Sequence, residues 1–115
     1  MKRGDIYLVD YEPVRGSEAN KARPGVIVSN DGANAAAERT GRGVVTLVPL
    51  TTNVARVYPF QVLLPAEECG LPKDSKAQCE QVRALAPERL LRPIGSVPRQ
   101  RMTEIDGALR RHLGL

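Results

Sequence analysis

Short apolar runs separated by turn residues fill the first two thirds of the chain. Asp5–Tyr11 alternates apolar and polar side chains and stops before Pro13, as a strand with one buried face does. Similar β-branched or apolar stretches predict four more short strands, over Gly25–Ser29, Gly43–Leu50, Tyr58–Leu64 and Lys76–Leu85. The last stretch also fits a helical period, and it is predicted as a strand because Pro72 and Pro87 bracket it.

Three segments have a helical pattern instead. The Ala-rich segment Asn30–Arg39 predicts a short helix with Asn30 or Asp31 as its N-cap, and Pro87–Leu91 predicts one helical turn. After Pro98, apolar residues three or four apart form one stripe opposite Arg and Glu: Met102, Ile105, Leu109 and Leu113. The element order predicts one mainly β domain over residues 1–115, a small curved sheet or half-open barrel with short helices and a C-terminal amphipathic helix.

Composition narrows the class of protein without choosing a function. Among the 115 residues, 17 basic side chains against 13 acidic ones give a net charge of +4, which fits a nucleic-acid partner. No apolar run reaches the roughly 20 residues of a membrane span, and acids within the first apolar stretch argue against a signal peptide. We therefore expect a cytoplasmic protein with reduced Cys69 and Cys79. One His and two Cys do not make a metal cluster, so no metal or cofactor is expected.

The stretch between the first two predicted strands, GSEANKARPG (Gly16–Gly25), gathers charged and polar side chains. Pro24 keeps Arg23 out of the helical region and holds it extended at the start of the next strand. A guanidinium fixed in this way suits a phosphate, although a loop arginine can also simply pair with a carboxylate. Glu18 is either a proton acceptor or a structural partner of Lys21 or Arg23.

Two further polar groups follow apolar segments. In LTTN, Thr51 and Thr52 end the most apolar strand, where hydroxyls are either turn residues or neutral hydrogen-bond donors beside the sheet. In EQVR, an acid, an amide and a base stand within a strand-like run at Glu80–Arg83, and the simplest interpretation of that run is a solvated strand face. Each signal is weak when taken alone.

Together these segments resemble the MazF/PemK family of toxin endoribonucleases. KRGDIYLVDYEP, GSEANKARPGVIVSN, VPLTTN and CEQVR occur in the family's order and cover nearly the whole chain. The resemblance implies an SH3-like β-barrel of the MazF/PemK/CcdB type, a homodimer, and metal-independent, sequence-specific cleavage of single-stranded RNA, with mRNA as the expected target. It also implies inhibition of growth and a cognate MazE-like antitoxin whose disordered, acidic C-terminal tail occupies the RNA groove.

The same resemblance assigns roles to individual residues. The family's catalytic arginine falls on Arg23 and its catalytic threonine on Thr51. Its RNA-holding positions fall on Ser17 and Glu18 in the loop, and on Gln78 and Glu80 further along the chain. Some relatives carry His in place of Ser17, and Arg and Asp in place of Gln78 and Glu80, so their proton-transfer roles do not transfer directly. The predicted substrate-binding set is completed by Asn20, Lys21, Thr52 and Asn53.

Elementary chemistry agrees with these roles. A ribonuclease without a metal can use the substrate's 2′-hydroxyl as nucleophile, which gives a 2′,3′-cyclic phosphate and a 5′-hydroxyl. It then needs a proton acceptor, a proton donor for the leaving oxygen and a cation for the developing charge. Arg23 suits the last role, because a guanidinium gives up protons reluctantly. Thr51 can donate a hydrogen bond to a phosphoryl oxygen. The base is Glu18 or Glu80, and the sequence does not choose between them.

Two other functions share parts of this pattern. Gyrase-poisoning toxins of the same fold act through a C-terminal end that carries a tryptophan, and this chain has no Trp. A non-catalytic RNA-binding module would leave RNA intact, but sequence-tolerant single-strand binders stack bases on aromatic side chains. With one Phe and three Tyr in the chain, an endoribonuclease is the favoured hypothesis.

Overall fold

The computed structural model describes residues 1–11 and 22–115. In these residues seven strands and three α-helices form. The strands are β1 (Asp5–Val9), β2 (Arg23–Ile27), β3 (Val45–Thr51), β4 (Gln61–Leu64), β5 (Ser75–Gln78), β6 (Arg83–Leu85) and β7 (Leu90–Ser96), and the helices are α1 (Asp31–Thr40), α2 (Ala66–Cys69) and α3 (Arg99–Leu113). Short 3-10 turns at Cys79–Gln81 and Pro87–Arg89 precede β6 and β7. None of the described helices is both long and apolar enough to span a membrane.

The strands form one antiparallel sheet with β3 at its centre. The strand order is β4-β5-β3-β2-β1-β7, and β6 also pairs with β3. At one end of the order, Gly95 on β7 packs against the Cys69 carbonyl so closely that any Cβ would collide with it. Because α2 directly follows β4, this contact brings the two ends of the strand order together. The predicted mainly β, barrel-like fold with a C-terminal helix is confirmed.

Both faces of the sheet are buried near its centre. Along β3, Val48 and Leu50 point to one face, while Val45 and Leu47 point to the other. Helix α3 covers the first face with three buried side chains: Met102, Ile105 and Ala108. Helix α1 covers the second with Ala37. We call this second face, which carries Val45 and Leu47, the α1 face.

The local signals for helices were mostly correct. The N-cap predicted at Asn30 or Asp31 is Asn30, whose Oδ1 accepts a hydrogen bond from the Ala33 N–H at 2.8 Å. Helix α3 starts one residue after Pro98, which serves as its N-cap. Its predicted apolar stripe is only partly buried, because Leu113 is 53% exposed while Met102 and Ile105 lie in the core.

The prediction of one strand over Lys76–Leu85 was wrong. Both halves pair with β3, but in different registers: Ala77 lies opposite Leu50, and Arg83 lies opposite Leu47. The six residue steps from Ala77 to Arg83 therefore lie opposite only three steps of β3, from Leu50 to Leu47. The extra residues leave the ladder as the 3-10 turn Cys79–Gln81, with the Cys79 side chain fully buried. Burial, and to a smaller extent Glu80, raises the pKa of the Cys79 thiol to about 12, so this thiol is unreactive at neutral pH.

Candidate active site

The two predicted catalytic residues lie at the same end of two neighbouring strands. β2 begins at Arg23, β3 ends at Thr51, and their antiparallel register pairs Gly25 with Pro49. Continuing this register by two residues places Arg23 opposite Thr51, and alternation puts both side chains on the α1 face. A cation and a hydroxyl therefore share one end of this strand pair.

Backbone contacts fix the position of Arg23. It pairs with Val9 on β1, and the next carbonyl, that of Pro24, accepts a hydrogen bond from the Tyr11 hydroxyl at 2.8 Å. The arginine is exposed. Within residues 1–11 and 22–115, no carboxylate forms an ion pair with it. The backbone of Arg23 is thus fixed at the start of β2, and its exposed side chain has no ion pair within the described residues.

Thr51 is oriented by the turn that follows it. Its Oγ1 accepts a hydrogen bond from the Asn53 N–H at 3.2 Å, which leaves the hydroxyl hydrogen free to donate. The Asn53 side chain in turn accepts from the Ala55 N–H at 3.4 Å. Thr51 and Asn53 therefore do act as turn residues, while Thr52 and Asn53 remain exposed beside the site.

Tyr11 joins this site and was not predicted from the sequence, and Arg83 of the EQVR segment, to which the sequence assigned no role, contacts it. The Tyr11 hydroxyl lies above Gly25, where an added Cβ would collide with it. The Arg83 guanidinium lies 5.6 Å from the centre of the Tyr11 ring, a cation–π contact. Burial raises the pKa of Tyr11 well above its usual value, and Arg83 only partly opposes this. The phenol therefore stays protonated and can donate a hydrogen bond but cannot act as a base at neutral pH.

Lys76 extends the site on the other side of Thr51. The register pairs Thr51 with Lys76, so the two residues are one strand spacing, about 4.8 Å, apart. The lysine is only 8% exposed, and its ammonium donates a hydrogen bond to the Arg56 carbonyl at 2.6 Å. Sequence reasoning placed Lys76 in a strand but gave no signal that this strand runs beside Thr51.

Gln78 is the last residue of β5, the strand that also carries Lys76. Glu80 lies in the 3-10 turn that follows β5. Gln78 pairs with Gln61 on β4. The Gln61 amide donates to Glu80 Oε2 at 2.8 Å and accepts from the Tyr58 N–H at 3.2 Å. The other oxygen, Glu80 Oε1, is buried and has no hydrogen-bond partner among the described residues. Glu80 thus has one oxygen held by Gln61 and one oxygen that accepts no hydrogen bond from the described residues.

The remaining predicted residues, Ser17, Glu18, Asn20 and Lys21, lie outside the described residues. They belong to the segment between Tyr11 and Ala22, which is flanked in the fold by the Val9 end of β1 and the Arg23 end of β2. In the described part of the chain, no group of three or more His, Cys, Asp or Glu side chains lies together. What the described residues bring together near the Thr51 end of β3 are cations and hydrogen-bond donors suited to phosphate.

The chain as a whole has counterparts among known proteins. Residues 2–113 match the family model described as PemK-like, MazF-like toxin of type II toxin–antitoxin system. The chain belongs to this family. The family predicted from the sequence is thus confirmed. Membership covers the whole fold, including the strands that carry Arg23 and Thr51.

Individual relatives agree with the family. The chain is 60% identical over 115 residues to Endoribonuclease MazF9 of Mycobacterium tuberculosis, covering 100% of this chain and 98% of the relative. It resembles an endoribonuclease solved with its cognate antitoxin from a mycobacterial species, at 27% identity and a TM-score of 0.79, over 100% of this chain and 96% of that one. A MazE–MazF structure from Deinococcus radiodurans gives 26% identity, the same coverages of 100% and 96%, and a TM-score of 0.79.

Proposed function

We propose that this protein is the toxin of a type II toxin–antitoxin system and that it cleaves single-stranded RNA at a defined sequence without a metal ion. Its membership of a toxin family and its 60% identity to a named endoribonuclease support the toxin and enzyme classes. The observation that supports the mechanism is that β2 begins at Arg23 and its antiparallel neighbour β3 ends at Thr51, so that both residues belong to one end of this strand pair. In this proposal the scissile phosphate of the RNA lies between these two side chains.

The reaction is an attack by the neighbouring 2′-hydroxyl on that phosphate. A base removes the hydroxyl proton, the 2′-oxygen forms a bond to phosphorus, and the bond to the 5′-oxygen breaks as that oxygen takes up a proton. Arg23 neutralises the charge that grows on the phosphoryl oxygens, and Thr51 donates a hydrogen bond to one of them. The products are a 2′,3′-cyclic phosphate and a 5′-hydroxyl.

Two carboxylates remain candidates for the base. Glu80 has a buried, unused oxygen and is held by Gln61. Glu18 belongs to the segment next to Arg23 in the sequence. Tyr11 is not a candidate, because its raised pKa keeps it protonated. We assign the remaining predicted residues to RNA binding: Ser17, Asn20, Lys21, Thr52, Asn53 and Gln78.

The proposal includes two protein partners. One is an antitoxin, since structural relatives are complexes of a toxin with its antitoxin. A disordered acidic tail would be attracted to the cations around Arg23 and would exclude RNA from the same groove. The other is a second copy of the chain. β4 and β7 end the strand order, and exposed Leu63 and Leu91 on them offer apolar contacts for a dimer. We place the protein in the cytoplasm, with mRNA as its main target.

Incubation of the purified protein with a bacteriophage RNA, in excess EDTA, tests this function. We expect a few defined fragments with 5′-hydroxyl and 2′,3′-cyclic phosphate ends, and no cleavage by Arg23→Ala. RNA that is bound but left intact would instead indicate a binding module. Inhibition of gyrase supercoiling without RNA cleavage would indicate a gyrase poison.

A further inference from the structure

A cluster of aromatic and cationic side chains lies beside Lys76, outside the Arg23–Thr51 pair. The Tyr58 and Phe60 rings stack with centres 5.4 Å apart and planes 2° from parallel. The Arg56 guanidinium and the Lys76 ammonium lie 5.6 and 5.8 Å from the Tyr58 ring centre. Tyr58 is 41% exposed. The loop between β3 and β4 therefore presents an accessible ring next to two positive charges.

Lys76 is a nearly buried cation. Among the described residues no carboxylate pairs with it, and it donates a single hydrogen bond, to the Arg56 carbonyl. A buried, unpaired charge is costly to a fold, so an anion at this position would be stabilised strongly. A backbone carbonyl accepts one of the three ammonium hydrogens and leaves two for such an anion.

Position relates this cluster to the proposed cleavage site. Lys76 is the strand neighbour of Thr51 on the α1 face, at about one strand spacing. An RNA strand whose phosphate lies at Arg23 and Thr51 can therefore continue across β5 towards Tyr58. Bases stack on aromatic side chains whatever their sequence, because every base has a π-face. Phosphates of the same strand need cations at intervals along their path.

We propose that Lys76 and Tyr58 form a binding subsite for the nucleotide next to the cleaved bond, with Lys76 binding its phosphate and the Tyr58–Phe60 pair supporting its base. This proposal rests on the proposed function, since it takes single-stranded RNA as the ligand. It assigns to Lys76 a role beyond holding the Arg56 carbonyl. It also assigns the loop between β3 and β4 to substrate binding, because this loop carries the Tyr58 and Phe60 rings.

Salt dependence of RNA binding separates a phosphate contact from a structural role for Lys76. The probe is a short fluorescent RNA that spans a cleavage site mapped on bacteriophage RNA, with 2′-deoxyribose at the nucleotide 5′ to the cut. Each phosphate neutralised on a single strand contributes about 0.7 to the slope of log affinity against log salt. We expect Lys76→Gln, which keeps a hydrogen-bond donor but no charge, to lower the slope by about 0.7. Lys76→Arg should retain the wild-type slope.

Lys2→Gln is the matched control, because Lys2 is exposed and lies before the start of β1, whereas Arg23 pairs with Val9 at the other end of that strand. Its slope should equal that of the wild type. A wild-type slope in Lys76→Gln would overturn the phosphate contact and leave Lys76 with the structural role alone. If Lys76→Gln does not fold, the Lys76→Arg slope and the Tyr58 experiment still decide, since loss of slope in the arginine variant contradicts a charge contact.

An abasic scan of the same probe tests the ring. In the wild type, removal of one particular base next to the cut should weaken binding on the order of tenfold. In Tyr58→Leu, removal of that base should have no further effect, while Tyr58→Phe should behave like the wild type. If removal of the base weakens binding by the same factor in Tyr58→Leu as in the wild type, the base does not stack on this ring.

These outcomes are distinct from failure of the proposed function. If the wild type cuts no RNA, or if Arg23→Ala cuts and binds RNA as the wild type does, the function itself is wrong. If Arg23→Ala abolishes cleavage while Lys76→Gln and Tyr58→Leu bind the probe like the wild type, only the subsite is wrong.

Discussion

The hydroxyl of Tyr11 occupies the space above Gly25 that a side chain there would fill. From that position it donates a hydrogen bond to the Pro24 carbonyl at 2.8 Å. This hydrogen bond attaches the segment that follows β1 to the start of β2, at the residue directly after Arg23. The placement of the proposed charge-stabilising cation thus depends on a glycine and a tyrosine that have no chemical role themselves.

Gly25→Ala should destabilise the fold and slow cleavage, because its Cβ forces the Tyr11 hydroxyl away from Pro24. Tyr11→Phe alone should cost about 1 kcal/mol, the value of one hydrogen bond. Together the two changes should cost less than the sum of the single ones, since the clashing oxygen is gone. Denaturant unfolding of the four proteins measures this coupling. Strict additivity would contradict the contact. Gly107→Ala, in α3 with open space around it, should be neutral or stabilising.

Arg23→Lys should lower the cleavage rate on the order of a hundredfold, because the charge remains but the planar fork is lost. Thr51→Val keeps the shape and removes one donor, so a several-fold decrease or more is expected. Single-turnover rates on a mapped RNA substrate provide the measurement. Arg92→Lys, at an exposed position on β7, should leave the rate unchanged. Wild-type rates in both site variants would refute the assignment, provided circular dichroism shows that both are folded.

Replacement of the ribose 5′ to the cut by 2′-deoxyribose should stop cleavage, because the nucleophile is removed. Excess EDTA should have no effect on the natural substrate. The comparison uses one RNA sequence synthesised in two forms, with product ends identified by mass spectrometry. Cleavage of the deoxy form at the same bond would exclude attack by the 2′-hydroxyl.

The pH dependence of the rate should identify the base. If Glu80 removes the proton, Glu80→Gln should abolish the acidic limb of the pH–rate profile, and Glu18→Gln should retain it with weaker RNA binding. The opposite pattern would assign the base to Glu18. Gln61→Leu is informative in addition, since it removes the hydrogen bond to Glu80 without removing the carboxylate. An unchanged limb in both Gln variants would mean that neither acid is the base.

Local signals in the sequence were sufficient for the elements that depend on near neighbours. Asn30 caps α1 through a residue three positions away, and such a contact is encoded locally. β7 was not predicted, because LLRPIGS contains a proline and a glycine that are unfavourable within a sheet. Among the described strands, β1 alone pairs with β7, which lies at the end of the strand order. An edge strand tolerates Pro93, and Gly95 is needed where the Cys69 carbonyl approaches.

The site depended on information that a single sequence does not contain. Arg23 was predictable from the proline after it and from the family resemblance. The position of Lys76 beside Thr51 was not, because it follows from strand register between distant segments. The contacts of Tyr11 with the Pro24 carbonyl and with Arg83 likewise join residues that are far apart in the sequence. The low aromatic content also argued against base stacking, yet folding places two of the four aromatic side chains, Tyr58 and Phe60, against each other.

The ion pair between Glu68 and Arg101 should make a small, pH-dependent contribution to stability. The arginine donates two hydrogen bonds to the carboxylate, each 3.0 Å long, and joins α2 to α3. Hydrogen bonding to Arg101 lowers the pKa of Glu68 from its ordinary value of 4.5. The folded pKa lies below the unfolded one, so the stabilisation is fully present above pH 4.5 and is lost as the pH falls through the folded pKa.

Glu68→Gln should therefore melt at a slightly lower temperature than the wild type at neutral pH, and the difference should disappear in acid. Glu67→Gln removes the same charge from the same helix without removing this pair, and it should not show that pH-dependent difference. An equal loss in both variants would attribute the effect to net charge rather than to the contact with Arg101.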